Sequence, residues 1–176
     1  MKFLFPFLFV FAVGVSFAQE KMPQAPLETI VFGEIVGQFE KVELGVRLPV
    51  ALSHQINNFL QKIEVPEKES VNPFLEWELD IRAEFTHVES GKKIVKPGFY
   101  YRAMERDDRI NGWKDVDNTY PIRARFASEE TGKWEARVEL RIHNSTIYSS
   151  APVYFEINGS ENLGYVALTD NKLNFQ

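Results

Sequence analysis

The sequence predicts an all-β fold, an antiparallel sandwich of about eight or nine strands, from three alternating stretches. Over residues 74–85, Leu75, Trp77, Leu79, Ile81, Ala83 and Phe85 take one parity, and Glu76, Glu78, Asp80, Arg82 and Glu84 take the other. Trp134, Ala136, Val138, Leu140 and Ile142 alternate in the same way with Glu135, Arg137, Glu139 and Arg141. Val42, Leu44, Val46 and Leu48 repeat the pattern more briefly. A period of two puts successive side chains on opposite faces, so each stretch reads as a strand with one dry and one wet face. Strands of that kind pair antiparallel and pack in two layers.

Taken in order, the chain opens with an apolar run over residues 1–18. The run holds one Lys and ends on Ser16 and Ala18, small residues just before Gln19. It reads as a signal peptide, so the expected location is secreted or periplasmic in a bacterium. The run is short for a membrane span and no basic stop follows, so no span is expected after cleavage. Residues 19–27, polar and Pro-rich, read as a flexible leader, and 28–176 as a single domain. Strands are predicted over 28–36, 39–48, 56–64, 74–86, 92–97, 120–127, 133–142, 146–157, 164–168 and 172–175. Gly37, Pro49, Pro66, Asn72-Pro73, Ser90-Gly91, Pro97-Gly98, Thr131-Gly132, Asn158-Gly159 and Asp170-Asn171 mark the turns between them. Residues 53–62 also fit a short helix, because Ile56, Phe59, Leu60 and Ile63 make a helical stripe. Residues 99–119 break the rhythm as a long polar connection, the kind of loop that often carries binding.

The composition narrows the functional classes. There is no Cys, so neither a disulfide framework nor a thiol nucleophile exists. The net charge of −5, with interleaved signs, argues against nucleic acid and anionic membrane as partners. Fifteen Phe, six Tyr and three Trp suffice for a β core, and Trp77 and Trp134, both on dry parities, are expected inside it. Gly98 and Gly132 are expected at turns that need backbone conformations other residues resist.

Four segments in order carry a resemblance: Asn72-Pro73-Phe74, Pro97-Gly98-Phe99-Tyr100, Ile122-Arg123-Ala124-Arg125-Phe126 and Thr131-Gly132-Lys133-Trp134-Glu135. Phe155-Glu156-Ile157 followed by Gly164-Tyr165-Val166 closes the set. Over residues 36–168 the chain resembles the Ig-like module catalogued as domain of unknown function 5060. That resemblance implies an Ig-like β-sandwich of the type that precedes a (β/α)-barrel in secreted glycoside hydrolases. It also implies a glycoside hydrolase barrel as a partner, beside which the loop aromatics described below suggest a polysaccharide. Two departures stand out. Tyr101-Arg102 and an insert follow the Gly-Phe-Tyr, and Tyr120 stands where the family has a tryptophan. The sequence stops at Gln176, about where the barrel would begin, so the barrel's activity is not expected of this chain.

The residues themselves give no catalytic set. Glycoside hydrolysis needs two carboxylates roughly 5 to 10 Å apart in a cleft, and the acids here fall mostly on wet strand faces beside Arg or Lys. His54, His87 and His143 show no metal-ligand spacing, and Arg109 interrupts the order of a calcium loop near Asp107 and Asp108. No enzyme activity, metal or cofactor is expected. The candidate ligand site is the 99–119 connection. Trp113, Tyr100 and Tyr101 would stack on sugar rings, while Asp107, Asp108, Asn111 and Asp115 would accept hydroxyl hydrogen bonds. The alternative is a loop folded back so that Trp113 caps the end of the sandwich.

Overall fold

The computed structural model describes residues 26–162 except Asp117, together with Gly164 and the strands at 166–169 and 172–175. The expected signal peptide, residues 19–25 of the leader, and Tyr165 lie outside the described residues. Leu27, the leader's last residue, is buried, and its amide donates to the Ser149 carbonyl at 3.0 Å. Among the described residues, no helix is long and apolar enough to cross a membrane.

The elements run β1 (Thr29–Phe32), β2 (Ile35–Gly37), β3 (Val42–Val46), α1 (Val50–Leu60), β4 (Leu79–His87), β5 (Lys93–Tyr100), β6 (Met104–Asp107), β7 (Gly112–Asp115), β8 (Ile122–Phe126), β9 (Gly132–Ile142), β10 (Ser145–Ser149), β11 (Val153–Asn158), β12 (Val166–Thr169) and β13 (Lys172–Phe175). The main sheet follows the order β1-β3-β8-β5-β4-β9-β11-β2, with β10 added on β9. It curls on itself because β5 serves both layers. Ala83 and Phe85 of β4 face Lys96 and Ile94 in its first half, while Gly98 to Tyr100 pair with β8. The result is the expected all-β sandwich. Among the described residues, two contacts depart from antiparallel pairing: β2 runs parallel to β11, and an isolated bridge joins Leu27 and Ser150 in parallel.

The dry parities of the sequence meet between the layers. Leu44, Ile122 and Ala124 come from one layer, and Ala83, Ala136, Val138 and Leu140 from the other, all fully or almost fully buried. Phe126 crosses the gap, stacking on Phe85 at 4.4 Å between centroids and leaning on Trp134 at 4.8 Å. Phe155 meets both Phe85 and Phe126 edge-on. Such offset and edge-to-face contacts add to the area burial that holds the layers together. The wet faces pair by charge across the register of β4 and β9, where Asp80 faces Arg141, Arg82 faces Glu139 and Glu84 faces Arg137. The ion pairs that close lie within each strand, from Arg82 to the buried Asp80 at 2.6 Å and from Arg141 to Glu139 at 2.8 Å. Opposite charges facing each other across the strands contribute a few tenths of a kcal/mol to the register.

Five expectations need correction. Residues 56–64 are not a strand. Helix α1 starts six residues earlier, where Leu52 and Ile56, buried, and Leu60, partly buried, form a stripe four residues apart. Neither parity of 56–64 is consistently apolar, so the helical period prevails. Strand β4 begins at Leu79, because Asn72 to Glu78 form a locked turn. The Asn72 side chain accepts from the Phe74 amide at 3.0 Å, and the Glu78 carboxylate accepts from the Asn72 amide at 2.7 Å. Trp77 therefore stands 64% exposed in that turn rather than in the core. The single strand expected over 146–157 is two, β10 and β11, and that expected over 28–36 is also two, β1 and β2, at opposite ends of the sheet order. Gly98 lies within β5 rather than in a turn. What it supplies there is space, since a Cβ at that position would sit 2.2 Å from Ile81 Cγ2.

Trp134 is fully buried, as its parity predicts. Gly132 adopts a φ of 118°, a conformation that disfavours any side chain, and a Cβ there would approach His87 Nε2 to 2.9 Å. His87 packs its ring on Trp134 at 5.0 Å. Its Nε2 lies 2.9 Å from the Thr131 carbonyl, which can only accept, so that nitrogen carries the proton. Nδ1 then accepts from the Ser90 amide at 3.2 Å.

Candidate functional site

The 99–119 connection is an excursion built around a hairpin, β6 paired with β7, with Arg106 opposite Trp113 and Met104 opposite Asp115. Partners across an antiparallel pair share a face, so Met104, Arg106, Trp113 and Asp115 lie on one side. Glu105, Asp107 and Lys114 lie on the other. Trp113 is 63% exposed, so it does not cap the sandwich.

Most of the expected acidic ligands are engaged within the hairpin. The Asp107 carboxylate accepts from the Arg109 side chain at 2.9 and 3.1 Å and from the Arg109 amide at 3.0 Å. Those bonds hold it below the usual carboxylate range. Asp108 pairs with Arg106 at 2.9 Å, and Asn111 Oδ1 accepts from the same guanidinium at 3.2 Å. Asp115 is held by both Nε and Nη2 of Arg102.

At the base of the hairpin, a cleft of about 450 Å³ opens against α1, with Tyr100, Tyr101, Arg102 and Asp115 on one wall and Ser53 and Asn57 on the other. Burial pushes the Tyr100 hydroxyl above its ordinary pKa. The structure thus brings three of the seven candidate residues, Tyr100, Tyr101 and Asp115, into one cleft. Trp113 lies outside its wall but shares the hairpin face that Asp115 extends into it. Asp107 is on the opposite face, and Asp108 and Asn111 are at the hairpin's tip.

Sequence reasoning missed a second aromatic surface. The locked turn before β4 holds Phe74, 61% exposed, edge-on to Tyr100 at 5.9 Å between ring centroids. With Pro73, Pro97, Phe99 and Tyr100 it lines a groove of about 520 Å³ that Glu76 and the buried Asp80 also border. Two of the segments that carry the family resemblance, 72–74 and 97–100, meet in this groove. The turn residues Asn72-Pro73 were the signal that these rings leave the strand pattern.

A third feature lies on the outer face of the first layer. The Arg123 guanidinium stacks over Phe32 at 4.0 Å and faces Tyr101 at 5.1 Å. Phe32 lies flat across the sheet because Gly45 is beneath it, where a Cβ would be 2.5 Å from the ring. Gly45 on a wet parity was the visible sign of that close approach. Arg125 lies over Phe99 at 4.9 Å and bonds Glu43 at 2.7 Å. Burial pushes the Glu43 carboxyl up, but hydrogen bonds from Arg125 and Lys41 outweigh it and hold the group below its ordinary value.

Glu135 is likewise lowered, chiefly by its bond from Arg137. A carboxylate with a lowered folded pKa stabilises the fold above its unfolded pKa, and that stability is lost as pH falls through the folded value. Thermal unfolding should therefore show a midpoint that is flat from about pH 7 to about pH 5 and that falls steadily below about pH 4.5. A midpoint unchanged down to pH 3 would contradict this electrostatic account.

Among the described residues, no three metal-ligating side chains gather in one place. The molecule is, by architecture, a β-sandwich whose edges and hairpin present aromatic rings beside paired charges. It belongs to the family described as a domain of unknown function (DUF5060), whose model matches residues 36–141. No curated protein and no solved structure matches the chain.

Proposed function

We propose that the protein is a secreted, non-catalytic accessory module of carbohydrate-degrading enzymes, an Ig-like sandwich that presents a surface to a partner. The observation that carries this reading is the contrast between its acids and its rings. Asp107, Asp108, Asp115 and Glu135 are each tied to an adjacent Arg. A general acid needs a raised pKa and a cleft, and an arginine partner acts in the opposite direction. Phe74, Trp77 and Trp113, by contrast, are each more than 60% exposed. Large rings at the surface are a feature of interaction sites.

A second reading, a stand-alone carbohydrate-binding module, is favoured by the exposure of Trp113 on the hairpin face that runs into the Tyr100–Tyr101 cleft. Trp113→Ala separates the two. It should leave stability within about 0.5 kcal/mol of the parent, as expected for an exposed side chain. If the hairpin is a glycan platform, the variant loses retention on insoluble polysaccharides. Retention that is unchanged in the variant assigns the glycan contact elsewhere or to a partner, and unfolding of Trp113→Ala would contradict the exposed placement itself.

A further inference from the structure

We infer that the hollow at the Lys41–Lys96–Arg125 end of the first layer binds an anionic polysaccharide, through carboxylate or sulfate groups on its sugars. This deepens the glycan-associated reading above and rests on it. The starting observation is a local imbalance of charge. Among the described residues, Glu43 alone answers Lys41 at 3.2 Å, Arg123 at 3.3 Å and Arg125 at 2.7 Å. Lys96 faces the same hollow and has no ion-pair partner among the described residues. Among the described residues, three cations thus share one carboxylate and Lys96 adds a fourth without a partner, in a chain whose net charge is −5. The outer face of the other layer shows no such excess, since its acids and bases alternate in register along β4 and β9.

The hollow has a volume of about 400 Å³ and is lined by Lys41, Lys96 and Arg125 together with Phe126 and Ala127. Phe99 lies under Arg125, while Arg123, between Tyr101 and Phe32, is outside the lining and contributes through its charge. Guanidinium groups bind carboxylate and sulfate through charge-assisted, often bidentate bonds, and lysine ammonium groups add point charges beside them. Nucleic acid carries the same sign of charge, but a duplex would also meet the rest of an acidic surface.

The test is affinity electrophoresis of the mature protein through gels containing polygalacturonate, chondroitin sulfate, neutral dextran or single-stranded DNA. Lys96→Glu and the double variant Lys41→Glu/Lys96→Glu run beside it, with thermal midpoints to confirm folding. The expected result is retardation by one or both acidic polysaccharides and none by dextran. Affinity should fall about tenfold in the double variant and decline with added salt. The polygalacturonate and chondroitin arms separate carboxylate from sulfate recognition. No retardation by either acidic polymer, unchanged retardation in a folded double variant, or equal retardation by DNA would overturn the inference. Binding of neutral glycan through Trp113 with no acidic binding would overturn this site while leaving the accessory-module reading intact.

Discussion

Trp134→Ala should destabilise the protein by about 3–5 kcal/mol, the range for removing a large aromatic from a sealed core. The ring is fully buried where the layers meet, against Phe126 at 4.8 Å and His87 at 5.0 Å. Its indole N–H donates to the Glu130 carbonyl at 3.3 Å. Alanine leaves both an empty volume and an acceptor without its donor, and Phe126 cannot fill the space without leaving Phe85. Urea denaturation gives the size of the effect, and fluorescence gives a second signature. The chain has three tryptophans, and the other two are more than 60% exposed. Blue-shifted emission of the native protein must then come from Trp134. The variant, if folded in cold buffer, should emit at the wavelength of solvated indole. A loss under about 1 kcal/mol would mean that the interlayer packing is wrong.

Gly98→Ala is the second large effect. One methyl group placed 2.2 Å from Ile81 Cγ2 and 3.0 Å from the Arg123 carbonyl forces β5 away from a neighbour on each side. Overpacking of this kind typically costs about 1–3 kcal/mol, and this site belongs at the upper end because one clash is with backbone. It also lies at the point where β5 passes from one layer to the other, so the displacement disturbs pairing with both β4 and β8. The steric origin has a distinguishing consequence. Ile81→Ala is destabilising alone, yet Gly98→Ala/Ile81→Ala should cost less than the two single losses added together. Strict additivity in denaturation experiments would show that the two sites do not touch.

Where sequence and structure agree, the agreement comes from strands long enough for parity to be decisive. Strands β3, β4 from Leu79, and β9 alternate with one face sealed, and their registers follow. The pattern misled where it was short or accidental. Residues 75–78 alternate like a strand, but Asn72-Pro73 start a turn whose own side chains close it, and Trp77 is carried outward. The stripe of α1 includes Leu52, just after Pro49, and a reading that starts at Ser53 sees only half of it. Within the candidate site, the aromatic residues of 99–119 could be named from sequence, but their exposure could not. It depends on which side of a two-stranded hairpin faces water. The Arg123–Phe32–Tyr101 stack was beyond reach for another reason. It needs β1, β3, β8 and β5 as neighbours, and that order follows from the curl of the whole sheet rather than from any local pattern.

The proposal that this sandwich serves glycan breakdown without performing it is tested most directly by reducing-end release. The protein would be incubated with a panel of neutral and acidic polysaccharides, with bound fraction and new reducing ends read from the same samples. The account predicts retention on at least one glycan, or on a partner enzyme, with no new reducing ends above buffer. Reducing ends that increase with protein concentration, persist through purification and vanish on substitution of a carboxylate in the Tyr100 cleft or the Phe74 groove would contradict it.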